Sequence, residues 1–139
     1  MKIRILAFLM FLVFASGIMA QTVSIDAKKN LKTARGTVAA YMADINSGRY
    51  EESLTLFKND PVSGGEISLD QYRQHCDSNL SKNKEIVSLF LKEKIDPKNK
   101  TLSNVTVQIK YKDKSKVEKW VMVEKVNGVW KMTTKGSMF

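Results

Sequence analysis

The sequence predicts an α+β fold: three N-terminal helices packed on a curved antiparallel sheet of about four strands. Two patterns and their punctuation carry this. Between Lys28 and Leu80 the apolar side chains recur at intervals of three and four, whereas from Val87 onward they alternate. Turn-forming residues stand at the joints, at Ser47-Gly48, at Pro61 with Gly64-Gly65, and at Asn127-Gly128. Helices grouped ahead of strands place the helices on one face of an antiparallel sheet.

The chain opens with "MKIRILAFLMFLVFASGIMAQ", in which Lys2 and Arg4 precede an unbroken apolar run of 11 residues, Ile5 to Ala15. That run is short for a membrane span, which takes roughly 20 residues, and suits the apolar region of a signal peptide. Cleavage is expected after Ala20, with a cut after Gly17 as the alternative. Residues 1–20 are therefore assigned to the signal peptide, 21–27 to a short polar lead-in, and 28–139 to a single domain. No cysteine directly follows the apolar run, so lipid attachment is not expected. The expected product is exported, periplasmic or secreted, with no integral membrane segment after cleavage.

Leu31, Ala34, Val38, Tyr41, Met42 and Ile45 form the apolar stripe of the first helix. Ser47-Gly48 ends it, and Tyr50, Leu54 and Phe57 share a face of the second, with Glu51 and Glu52 in its first turn, where negative charge suits the helix dipole. Ser68 and Gln71 fit a capping box, and Ile67 and Tyr72 fit the hydrophobic staple of a third helix reaching about Leu80. Val87, Leu89 and Leu91 alternate in the first strand, and Val105, Val107, Ile109 and Tyr111 in the second. Val117, Val121 and Val123 mark the third, Trp130 and Met132 the fourth.

Asn127-Gly128 predicts a two-residue hairpin loop. It sets Lys125 opposite Trp130, Val123 opposite Met132, Val121 opposite Thr134, and Glu124 opposite Lys131. A three-residue loop at Asp113–Ser115 sets Tyr111 opposite Val117, Val107 opposite Val121, Val105 opposite Val123, and Lys110 opposite Glu118. An even-length loop there would turn valines toward Glu118 and Trp120. The resulting inner face is aliphatic, with Lys125 near the hairpin end and no Asp, Glu or His.

A helix ending "AYMADINSGRYEESLTLF", a capped third helix, and strands ending "VMVEKVNGVWKM" resemble the nuclear-transport-factor-2-like (cystatin-like cone) superfamily, in particular its small secreted bacterial members of unknown function. The likeness spans roughly residues 28–134. It implies a sheet wrapped around helices, often a pocket in the cone and often a dimer, and it carries over no catalytic residue.

The chemistry of the side chains narrows the function. Cys76 is the only cysteine and His75 the only histidine. Adjacent helical residues do not face each other, and Cys76 falls in line with Leu69, Tyr72 and Leu80, so a buried, inert thiol is expected rather than a nucleophile. No metal site and no cofactor are expected. The formal charge of +9, of which Lys2 and Arg4 supply two, favours anionic partners. The lysines are scattered without a nucleic-acid motif, so no nucleic-acid partner is expected. Trp120 and Met122 alternate with inner-face valines and so point outward, as a candidate dimer or partner surface.

The first reading is thus an exported, non-enzymatic module binding a protein or a small apolar ligand, with Tyr41, Met42, Tyr72, Val107, Tyr111, Val121 and Trp130 as pocket candidates. The second is an isomerase or dehydratase acting on a small apolar substrate through Tyr41 and Asp44, with Asp44 at the edge of the first helix's apolar stripe. The third is a module held to anionic cell-envelope polymers by its charge.

Overall fold

The computed structural model describes residues 18–81 and 84–139. Most of the expected signal peptide lies outside the described residues. The elements are β1 (Ile18–Ser24), α1 (Ala34–Asn46), α2 (Tyr50–Leu54), α3 (Leu69–Asn79), β2 (Ile86–Ile95), β3 (Leu102–Tyr111), β4 (Lys116–Val126) and β5 (Val129–Gly136). The strands form one antiparallel sheet in the order β1-β2-β3-β4-β5. The fold is α+β as expected, with a fifth strand ahead of the helices.

That strand corrects the assignment of residues 21–27 to a lead-in. β1 pairs Ile18 with Lys94 through Ser24 with Ser88. Its inward Met19 and Val23 are only half-buried, so the apolar alternation that marks a strand is weak here. An edge strand gains its stability from the ladder as much as from side-chain burial.

Helix α1 keeps the predicted stripe: Ala34, Val38, Tyr41, Met42 and Ile45 are all buried. It starts later than the periodicity suggests, because Thr33 caps it by accepting from the Gly36 N–H. It ends at Ser47, whose N–H donates to the Ala43 carbonyl. Helix α3 carries the capping box, with the Gln71 N–H donating to Ser68 Oγ and the Ser68 N–H donating to Gln71 Oε1. Helix α2 stops at Leu54, so Phe57 is not on its face. Residues 56–58 instead run beside β5: the Met132 N–H donates to the Leu56 carbonyl and the Lys58 N–H to the Met132 carbonyl, at 2.8 and 2.9 Å.

The predicted register holds in its faces and shifts in its pairs. The Tyr111 N–H donates to the Ser115 carbonyl, and Lys114 takes a left-handed φ of 70°. The three-residue loop is therefore Lys112–Lys114, one position earlier than expected. Asp113 sets it by accepting from the Ser115 N–H at 2.9 Å. Val105 faces Val121, Val107 faces Lys119, Gln108 faces Glu118 and Lys110 faces Lys116. The predicted Lys110–Glu118 pair is absent, but an odd-length loop keeps the valines inward.

At the other hairpin Asn127 and Gly128 both have positive φ, and Lys125–Trp130, Val123–Met132 and Glu124–Lys131 pair as predicted. Beyond Val123 the register slips, and Val121 meets Gly136 rather than Thr134.

A second irregularity, between Ile86 and Ser88, turns Val87 outward to 48% exposure and buries Ile86 in its place. Val87 is thus not an inner-face residue. The alternation of β2 continues past Leu91 to Glu93, which is 4% exposed. The inner face therefore does carry a carboxylate.

Candidate functional site

The seven pocket candidates all lie in the packed core between sheet and helices. Tyr41, Met42, Tyr72, Val107 and Val121 have no exposed surface, and Tyr111 and Trp130 have at most 5%. They line filled space. Tyr41, Phe57 and Tyr72 meet edge to face at 5.9 and 6.1 Å between centroids. The tyrosine hydroxyls inside this core have partners, whereas the buried Ser103 Oγ has none among the described residues. The Tyr41 hydroxyl lies 3.7 Å from Cys76 Sγ and accepts from Asn79 Nδ2 at 3.2 Å, while the Tyr72 hydroxyl is bonded to Ser53 Oγ. Burial pushes the Tyr41 and Tyr72 hydroxyls and the Cys76 thiol upward from their ordinary pKa ranges. Cys76 is therefore a buried neutral thiol, as its helical position predicts.

The mouth of this core is filled by Met138 and Phe139. Met138 is 1% exposed and its carbonyl accepts from Asn79 Nδ2 at 2.7 Å. Phe139 packs against Phe57 and Tyr72 and stacks on His75, with centroids 4.9 Å apart. The Asn79 amide thus spans the Tyr41 hydroxyl and the tail backbone.

Tyr41 and Asp44 do not share a site. Asp44 is fully buried, not at the edge of the stripe as its helical angle suggests. Lys29 folds over it at 2.9 Å, and Arg49 donates to it through Nε and Nη2 at 3.1 and 3.0 Å. Both carboxylate oxygens are occupied, beside the last turn of α1, where two cations offset an acid opposed by the helix dipole. Glu93 plays the matching part at the other end. It pairs with Arg35 Nη1 and accepts the Arg35 N–H at 3.2 Å, while Arg35 Nε donates to Gln21. Two buried carboxylates therefore pin the ends of α1. Glu93 was legible in the sequence, since Leu89, Leu91 and Glu93 continue one alternation.

A depression of about 450 Å³ on the helix side is an open cleft bordered by Ile45, Gly48, Tyr50, Asp77 and Lys84. Three of its polar side chains are engaged: the Tyr50 hydroxyl donates to Asp77 at 2.9 Å, and Lys84 bonds Ser115 and Asp113 at 2.9 and 3.2 Å. Among the described residues no group of three or more His, Cys, Asp and Glu side chains is placed to hold a metal, and no helix is long and apolar enough to cross a membrane.

The solvent face of the sheet is different. Register places its side chains in four rows across β1 to β4: Ile18, Lys94, Asn104, Met122; then Ala20, Lys92, Thr106, Trp120; then Thr22, Phe90, Gln108, Glu118; then Ser24, Ser88, Lys110, Lys116. Trp120 is 38% exposed. Lys92, Lys94, Lys110 and Lys116 are all exposed, and the described residues give them no ion pair. Lys92 Nζ lies 5.5 Å from the Phe90 ring centroid. Two shallow depressions of about 220 and 240 Å³ adjoin the first rows and share Lys94 and Asn104. Trp120 and Met122 point away from the helices, as the alternation predicts; their basic neighbours on β2 were not foreseen, because register alone brings them together.

Compared with protein-family models, curated proteins and solved structures, the chain finds no match.

Proposed function

We propose that this protein is a non-catalytic, cone-fold binding module that engages an anionic partner through the solvent face of its sheet. The observation that carries the reading is the contrast between the two faces. The inner face is filled by its own side chains and closed by Met138 and Phe139. The outer face holds four lysines with no ion pair among the described residues, around an exposed tryptophan. Both buried carboxylates are spent on holding α1, so neither is free to act as a general base. The resemblance to small secreted cone-fold proteins agrees with a binding role and with export.

A second copy of this chain is a poorer occupant of the face than an anion. A two-fold contact opposes a surface to itself, and this one sets lysines against lysines with only Glu118 in the four rows to relieve them. A small apolar ligand would have to displace Met138 and Phe139.

Retention on a dextran sulfate column tests the reading. Reversing Lys92, Lys94, Lys110 and Lys116 to Glu should lower the eluting salt concentration well below that of a control with Lys28, Lys32, Lys98 and Lys135 reversed. Equal elution of the two variants would mean that net charge alone, not this face, binds anions.

A further inference from the structure

We propose that the occupant of this face is an acidic polysaccharide, a chain of uronate-type sugars laid across β2, β3 and β4; the inference rests on the face being the working surface.

Each part of the four-row grid meets one part of such a polymer. Along a strand the rows are about 6.8 Å apart, and neighbouring strands lie about 4.8 Å apart. Lys92 and Lys94 on β2 therefore stand about 10 Å across the sheet from Trp120 and Met122 on β4, with Asn104 and Thr106 between them. The indole of Trp120 offers a flat apolar platform for the C–H face of a sugar ring. Asn104, Thr106 and Gln108 on β3 supply amides and a hydroxyl, which both donate to and accept from sugar hydroxyls. Lys92 and Lys94 then reach carboxylates on the far side of the ring. Two rows further along from Lys92, Lys110 sits directly opposite Lys116. Such a like-charge pair is unfavourable across a ladder and would be relieved by the next carboxylate of the chain.

The shape agrees. The two depressions, about 220 and 240 Å³, are open and adjoining, and each is smaller than the roughly 300 Å³ of an enclosed small-molecule pocket. They suit successive units of a polymer lying across a surface.

Glu118, in the third row beside Gln108, adds an acceptor for sugar hydroxyls. Single-stranded nucleic acid stacks successive bases on several rings, whereas the four rows carry two rings and Lys92 lies over one of them, Phe90.

The test is a titration of the full chain with oligogalacturonate, neutral dextran, oligothymidylate and vesicles of anionic phosphatidylglycerol. Trp120 and the buried Trp130 are the only tryptophans, so an emission shift reports on the sheet face. Oligogalacturonate should shift the emission to saturation and dextran should not. Calorimetry should then show at least about a tenfold weaker oligogalacturonate affinity for Trp120→Ala and for Lys92→Glu/Lys94→Glu, each checked for an unchanged melting profile. Oligogalacturonate binding that ignores both variants, or no binding at all, overturns the proposal. Tighter binding of oligothymidylate or vesicles, sensitive to the same variants, overturns the polysaccharide while leaving the face as the working surface. If the column experiment also fails to separate face from control lysines, the reading beneath it falls as well.

Discussion

Ser137 holds the backbone of Trp120 at both its polar groups: the Ser137 N–H donates to the Trp120 carbonyl at 2.8 Å, and the Ser137 hydroxyl accepts from the Trp120 N–H at 2.8 Å. The tail that closes the core is thus anchored to the residue that dominates the opposite face. Gly136 makes the approach feasible. Its φ is 147°, and a Cβ there would collide with the Trp120 carbonyl oxygen and stand 2.7 Å from the Val121 Cα. Gly136→Val should therefore destabilise the fold by at least about 2 kcal/mol in urea denaturation, and Ser137→Ala by about 1 kcal/mol.

Met138 fills the mouth of the core without belonging to a helix or strand. Met138→Ala should cost about 2–5 kcal/mol, the range for emptying a buried methionine site. It should also let an apolar dye such as anilinonaphthalene sulfonate bind where the unaltered protein excludes it. Unchanged stability with no dye uptake would show that the tail is not a structural plug.

Glu93 and Arg35 are a buried pair whose partners depend on each other. Glu93→Gln leaves a guanidinium only 15% exposed without its carboxylate and should cost about 3–5 kcal/mol. Replacing both residues by Met should recover more than half of that loss, because the remaining site carries no unpaired charge. Equal losses in the single and double variants would place the stability in side-chain shape rather than charge.

Alkaline pH should unfold the protein steeply. Burial lifts Tyr41, Tyr72 and Cys76 above their ordinary pKa values, so the folded state holds these protons more tightly than the unfolded chain. Their contribution is complete below the unfolded values, about 8.5 for cysteine and 10 for tyrosine, and is lost as pH rises beyond them. Each group adds a slope of up to about 1.4 kcal/mol per pH unit. Tyr41→Phe should flatten the stability curve above pH 10. Cys76 should resist Ellman's reagent until the chain unfolds.

The sequence made three helices and four strands legible because their signals are local: a stripe, a capping box, an Asn-Gly turn. Its inward and outward sets also held, since an odd loop preserves sidedness even when the pairs shift by one position. β1 stayed hidden because an edge strand with two half-buried side chains leaves little alternation to read, and because it overlaps the expected cleavage region. A cut after Gly17 would leave it whole, whereas a cut after Ala20 would remove Ile18, Met19 and Ala20. Val87 was misplaced because a bulge interrupts period two without changing composition. Asp44 was misjudged because helical angle says nothing about a loop lysine folding over from Lys29. The basic face was invisible for the same reason: its lysines sit on different strands, and only register gathers them.

The two margins of the sheet are unequal. Residues 56–58 run against β5 and occupy its outer hydrogen-bonding groups at Met132, whereas β1 is the terminal strand on the other side, with no described neighbour beyond it. At Met132, therefore, β5 has both backbone groups already bonded. A strand of another chain docking edge to edge would meet an obstruction at Met132 on one margin and the ladder groups of β1 on the other.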